Sequence, residues 1–255
     1  MTHLIAISGK GGTGKTTVAG LLVIRLIARG KKPVLAVDAD PNTCLDAALN
    51  VHVEKTIGRV REEVREIAGK GMARGIAKQE LLELKIAESI VEADDFDLIA
   101  MGRPEGAGCY CYANNVLKTV ISEISSNYPY VVLDNEAGLE NLSRRIVQKV
   151  DVLIIVADPS KQGLETVKRL FDLTKEMEIK YDRLVIIVNR LRTNKLPESA
   201  IELKRLTGAE IIFGLPDDIQ LSEFSEQGKS LWSLPDINPV VTHLDNLLSE
   251  IGLPN

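Results

Sequence analysis

Cysteine and histidine are scarce in this chain, three residues of each among 255. Three cysteines are poor material for a disulfide framework, so thiol or metal chemistry is the better use of them. His3, His52 and His243 are scattered, with no HxH or HxxxH spacing that would make a ligand pair. An excess of one charge is also missing: 31 Lys and Arg stand against 36 Asp and Glu, mixed along the chain. That balance argues against a nucleic-acid partner, whose affinity would come from phosphate neutralisation. No apolar run is long enough to span a bilayer, which argues against a membrane partner. The first residues enter an apolar strand at once, leaving no room for a signal or transit peptide, so the expected location is cytoplasmic.

What is present is an ordinary globular composition, 45% hydrophobic and 26% charged, enough to bury a large core. Short apolar runs alternate with helical periodicity: His3 to Ser8, Pro33 to Val37, Asp97 to Met101, Tyr130 to Leu133, Asp151 to Ala157, Arg183 to Val188 and Ile211 to Phe213 read as strands. Helices are expected over Val18 to Ala28, Val53 to Ala68, Lys78 to Val91, Asn114 to Ser126, Leu164 to Met177, Ile219 to Glu226 and Val240 to Ser249. The alternation predicts an α/β fold, a single doubly wound, mainly parallel sheet with helices on both faces, in one domain over residues 1–255. The excursion over 53–96 carries charged faces that read as solvated surface, and Trp232 reads as core.

Between the first strand and the first helix lies Gly9-Lys10-Gly11-Gly12-Thr13-Gly14-Lys15-Thr16-Thr17, which satisfies GxxxxGK[ST]. Glycines at this spacing let successive backbone N–H groups converge on phosphate oxygens at the positive end of a helix. The expected cradle is Gly11, Gly12, Thr13, Gly14, Lys15, Thr16 and Thr17, with Lys15 reaching the β- and γ-phosphates and the Thr16 hydroxyl on Mg²⁺. Lys10 is a second lysine that one nucleotide does not need. It is solvated, paired locally, or aimed at another subunit's phosphates, and the last option predicts a homodimer.

Ligands of an open parallel sheet gather outside the carboxyl ends of its strands. The second strand delivers Asp38-Ala39-Asp40-Pro41-Asn42 there, as carboxylates for Mg²⁺ and water or as an N-cap or Asx turn. Cys44, just beyond, reads as a small buried hydrophobe. Another strand delivers Asp134-Asn135-Glu136-Ala137-Gly138, in which Asp134 takes the place of a Walker B acid meeting Mg²⁺ and Gly138 brings an N–H near a γ-phosphate, or the acid only caps a turn. After the strand ending at Val188 comes Asn189-Arg190-Leu191-Arg192. Guanine readout needs a carboxylate where Arg192 stands, so ATP/ADP is the expected nucleotide. Cys109 and Cys111 form a CxC in a glycine loop approaching a helix N-terminus, where thiolate is favoured. Two soft sulfurs suit Ni²⁺ or Zn²⁺, and a two-fold dimer would supply four; the spacing can also arise by chance.

The run GKGGTGKTT resembles the deviant Walker A motif of the MinD/ParA/nitrogenase-iron-protein class of P-loop ATPases. The resemblance implies that Lys10 crosses a nucleotide-sandwich dimer to the partner's phosphates. It makes DxDP switch I, with Asp38 near the Mg²⁺ shell and Asp40 positioning the attacking water. Lys10, Lys15 and Asp40 are then the catalytic set. It also implies that Asn189 and Arg190 meet the adenine while the loop holding Pro216 and Asp218 closes on it. With the CxC and DNEAG added, nearly the whole chain resembles the CooC-type ATPases, maturation factors of nickel carbon monoxide dehydrogenase and acetyl-CoA synthase. Cys109 and Cys111 match that group's metal-binding CxC, which implies a metallochaperone with a nickel enzyme as client. Two rivals are a ParA/MinD-like positioning ATPase and an Fe–S reductase like the nitrogenase iron protein. The MinD-type basic C-terminal helix is absent here, where Asp245 and Glu250 stand, and the DNEAG segment lacks the reductase's cysteine.

Overall fold

Strands β2 (Val34–Ala39) and β5 (Tyr130–Asn135) are buried at every residue. A strand apolar on both sides needs cover on both sides, which a parallel sheet receives from its crossover helices. The computed structural model describes residues 2–69, 78–103, 110–137, 149–193 and 195–252. Its sheet also contains β1 (His3–Gly9), β3 (Val91–Glu92), β4 (Phe96–Ala100), β6 (Lys149–Ala157), β7 (Lys180–Leu191) and β8 (Ile211–Pro216). The order is β3-β4-β2-β5-β1-β6-β7-β8, parallel throughout except for β3 against β4. From β1 the chain first builds one wing of the sheet and later, with β6 to β8, the other. The crevice of a doubly wound sheet therefore opens at the carboxyl end of β1.

One face is covered by α1 (Lys15–Ala28), α2 (Leu45–Leu49), α8 (Ile219–Glu226) and α9 (Pro239–Glu250), around Leu22, Leu26, Leu244 and Leu248. The other face is covered by α3 (Ile57–Gly69), α4 (Lys78–Ala87), α5 (Tyr110–Ile124), α6 (Lys161–Glu176) and α7 (Glu198–Thr207). Helix α9 is clamped to α1, because Arg25 Nε and Nη2 donate to the Asp245 carboxylate at 3.0 and 2.9 Å. Among the described residues no helix is long and apolar enough to cross a membrane.

The doubly wound parallel sheet expected from the alternation is present, with several local differences. The segment expected as helix to Val91 stops at Ala87 and turns into β3, closed by Ala93 N–H donating to the Phe96 carbonyl at 3.0 Å. Residues 53–56 precede α3 rather than joining it. Helix α5 begins at Tyr110, so Cys111 sits in its first turn instead of in a loop. The Tyr and Cys residues there are weak helix formers, and the start was invisible to propensity. Helix α7 was not anticipated, although Pro197 precedes it and Gly208, at φ 67°, ends it in the expected way. Trp232 is no core residue: 42% exposed, it stacks on Phe96 and donates its indole N–H to the Leu49 carbonyl at 2.9 Å. Its polar handle, with an acceptor in reach, holds it at the surface. Cys44 is likewise exposed, because it is the N-cap residue of the short α2 and does not point into the core.

Candidate nucleotide site

The phosphate loop is shaped by close approaches that forbid side chains. A Cβ on Gly9 would lie 2.2 Å from the Val156 carbonyl oxygen of β6. A Cβ on Gly14 would lie 2.5 Å from Asn189 Nδ2, and Gly14 also holds φ 90° as it opens α1. Among the described residues no side chain caps that helix, so its first-turn N–H groups are open to the crevice. The Lys10 carbonyl gathers the loop: it accepts the Thr13 N–H at 3.4 Å, the Thr13 hydroxyl at 2.8 Å and Lys15 Nζ at 3.3 Å. Lys15 is buried, and its pKa is lowered by desolvation, which the charges of Asp134, Asp40 and Glu136 offset in part. Lys10 itself is exposed. Its charge reaches Asp158: burial pushes that carboxyl up, but donation from Ser160 and the Lys10 charge outweigh it and leave Asp158 below the usual range.

Asp38 and Asp134, the next-to-last residues of β2 and β5, stand in direct register. Asp38 is 0% and Asp134 1% exposed. Asp38 Oδ1 accepts the Asp40 N–H at 3.0 Å, and Oδ2 accepts the N–H groups of Cys44 and Leu45 at 2.8 and 2.9 Å. The capping alternative raised for the DxDP segment is thus made by Asp38, reaching from the strand to the start of α2. Burial still pushes its pKa to about 6, with the Asp40 charge adding to that, against the three N–H donors. Asp134 is pushed to about 7 by burial and then by the Asp38 charge, against the Thr16 hydroxyl and Lys15. Among the described residues its Oδ1, which is buried, has no hydrogen-bond partner. An orphaned carboxylate oxygen beside a threonine hydroxyl is a donor set that fits a hard divalent cation. Among the described residues no three His, Cys, Asp or Glu side chains converge as a metal site. Mg²⁺ suits such sparse protein ligation, because it keeps waters and takes phosphate oxygens.

Asp40, by contrast, stands in an Asx turn: its Oδ1 accepts Asn42 N–H at 2.8 Å and Asn42 Nδ2 at 2.9 Å. Asn42 and Arg103, which donates to the Asn42 Oδ1 at 2.5 Å, were not among the residues singled out in the sequence. The signal for Asn42 was there, since Asp-x-Asn is a turn pattern. Arg103 carried none.

The two residues expected at the base touch the loop itself. Asn189 Nδ2 donates to the Thr13 carbonyl at 2.9 Å, and the Arg190 guanidinium, on a residue at φ 59°, donates to the Gly12 carbonyl at 3.1 Å. Both also line a cleft of about 220 Å³ with Gly14, Thr17, Pro216 and Asp218. Asp218 caps α8 through the Leu221 N–H at 2.7 Å and accepts Asn238 Nδ2 at 2.9 Å. Cys109 and Gly138 lie outside the described residues, as does the side chain of Cys111.

The model of an AAA domain family matches residues 2–187. The chain belongs to that family of P-loop ATPases. The ATPase is 40% identical over 249 residues to an uncharacterized ATP-binding protein of Methanocaldococcus jannaschii, covering 97% of this chain and 98% of that one. It is 28% identical over 241 residues to the carbon monoxide dehydrogenase accessory protein CooC of Rhodospirillum rubrum, covering 90% and 89%. Its fold is that of the septum site-determining protein MinD of Pyrococcus horikoshii, solved with Mg-ADP, with TM-score 0.69, 22% identity and coverage of 98% and 96%.

Proposed function

We propose that this ATPase is a dimeric metallochaperone, one domain over residues 1–255, that hydrolyses ATP while delivering nickel to carbon monoxide dehydrogenase or acetyl-CoA synthase. The observation that carries the nucleotide chemistry is the buried Asp38–Asp134 pair with its orphaned oxygen beside Thr16. Thr16 and Asp134 would hold Mg²⁺, with Asp38, whose oxygens already accept three backbone N–H groups, meeting it only through water, and the ion would supply charge neutralisation across the phosphates. Gly11 to Thr17 offer backbone N–H groups and Lys15 a counter-charge. Asp40 orients a water for in-line attack on the γ-phosphorus, so that the new P–O bond forms as the bond to the ADP oxygen breaks. Asn189 and Arg190 hold the loop's carbonyls and present their remaining surface, with Pro216 and Asp218, to the adenine. Lys10, which is exposed, would reach the phosphates of a second copy.

The cargo reading is supported by the likeness to CooC over 90% of the chain together with the CxC. Cys111 stands in the first turn of α5, where the positive helix end favours thiolate. Cys109 and Cys111 from two chains give four sulfurs for one Ni²⁺ or Zn²⁺. The test is metal stoichiometry on reduced protein with mass in solution: one ion per dimer is expected, and a stable absence of Ni²⁺ and Zn²⁺ binding overturns the reading. A ParA/MinD-like positioning role is the second reading, favoured by the MinD fold. Against its membrane form, the apolar face of α9, with Val240, Leu244 and Leu248, is buried in the core.

A further inference from the structure

We infer that Arg103 and Asn42 are positioning residues for Asp40 in ATP hydrolysis, an inference that rests on reading Asp40 as the carboxylate that orients water. Asp40 lies on the short turn between β2 and α2, where the Thr43 N–H donates to the Asp40 carbonyl at 3.1 Å. Nothing in such a turn fixes a carboxylate except its hydrogen bonds. The backbone N–H and Nδ2 of Asn42 converge on the same oxygen, Oδ1, at 2.8 and 2.9 Å. Oδ2 accepts no hydrogen bond from the described residues, and it is the oxygen that would orient the water.

The Asn42 amide has one accepting end and one donating end, and turning it over would point its oxygen at the Asp40 carboxylate. A guanidinium only donates. Arg103 Nη2, 2.5 Å from Asn42 Oδ1, therefore decides which way the amide faces and commits Nδ2 to Asp40. The arginine is delivered from firm ground. Two residues earlier, Met101 N–H donates to the Asp38 carbonyl at 2.8 Å, extending the β4–β2 ladder at the strand end that also leads to Asp40. The chain Arg103–Asn42–Asp40 thus ties the ends of two adjacent strands through side chains, outside the phosphate loop. Neither Arg103 nor Asn42 touches the reacting atoms; each acts through Asp40.

The experiment is steady-state ATPase kinetics with Mg²⁺ on the full chain for Asp40→Asn, Asn42→Ala, Arg103→Ala, Arg103→Lys and the Asn42→Ala/Arg103→Ala pair, with ADP affinity measured alongside. If the arginine acts by orienting Asp40, kcat of Arg103→Ala falls about tenfold, the worth of one charge-assisted hydrogen bond, while KM and ADP affinity stay within about twofold. Arg103→Lys, which still donates, recovers most of the loss. Asn42→Ala matches Arg103→Ala, and the pair is no worse than either alone, because both remove one device. Wild-type turnover in Asp40→Asn would overturn the role of Asp40 and the inference with it. A slow Asp40→Asn beside wild-type kcat in Arg103→Ala, a change in KM alone, or losses that multiply in the pair would overturn the positioning inference only.

Discussion

Asp38 and Asp134 stand side by side on neighbouring parallel strands, both withdrawn from water, and only Asp38 has its oxygens filled by backbone N–H groups. The asymmetry assigns them different work. Asp38 shapes the turn that follows it, while Asp134 keeps an oxygen in reserve.

The reserve has a pH signature. With its folded pKa raised to about 7 from an ordinary 3.8, Asp134 binds its proton more tightly in the folded chain than in the unfolded one. Its cost to stability is absent below the unfolded value, grows as pH rises between the two, and is complete above about 7. Asp134→Asn without nucleotide should therefore melt higher than wild type at pH 8, by on the order of 5 °C, with the gap closing towards pH 5. Thermal melts across that range check it. A gap that does not change with pH would refute the assignment.

The two loop lysines should separate. Lys15→Ala removes the buried counter-charge and should weaken ATP binding by roughly tenfold to a hundredfold, the worth of a charged hydrogen bond. Lys10→Ala should bind ATP normally yet lose turnover and ATP-driven dimerisation. Nucleotide titration and sedimentation with and without ATP distinguish the two variants.

Gly14 and Asn189 make a size pair, since a Cβ on Gly14 would come within 2.5 Å of Asn189 Nδ2. Gly14→Ala should lose nucleotide binding. Adding Asn189→Ala should relieve the clash, but the φ of 90° still strains the alanine and the prop on the Thr13 carbonyl is lost, so that binding returns only in part. Full recovery in the double variant would mean that neither the backbone conformation nor the Asn189 amide matters to binding.

For the cargo, Ser at Cys109 or Cys111 should abolish tight Ni²⁺ or Zn²⁺ binding and leave ATP binding intact. Cys44→Ser should spare the metal: the residue is exposed, and partial desolvation of its thiol together with the charges of Asp38, Asp40 and Asp46 pushes its pKa up, away from thiolate. Because the ligands bind as thiolates, affinity should fall as pH is lowered. Equilibrium dialysis on reduced protein measures all of these.

The phosphate loop was legible because its chemistry is local: spacing, glycines and the Lys-Thr pair are all contiguous. Asp38, Asp40 and Asp134 were legible as strand ends, since fold logic alone sends strand ends to the crevice. What each carboxylate does there was not legible. The donors that fill Asp38 come from residues 40, 44 and 45, and the polar partner that leaves Trp232 at the surface comes from residue 49. The resemblance sends Asn189 to the base, yet its amide also props the Thr13 carbonyl across 176 positions of sequence. The Arg103–Asn42 contact spans 61 positions, and no motif announces it.

Asn238 caps α9 through the Val240 N–H at 2.9 Å while its Nδ2 reaches Asp218, the cap of α8. One amide and one carboxylate thus start two helices, and Asp218 also borders the cleft. Substitution at either position disturbs both helix starts, so the two should drift together among relatives: where the amide at 238 is lost, the carboxylate at 218 should change with it. The wall of the cleft therefore inherits a constraint set by the architecture of the chain's last helix, independent of what the cleft binds.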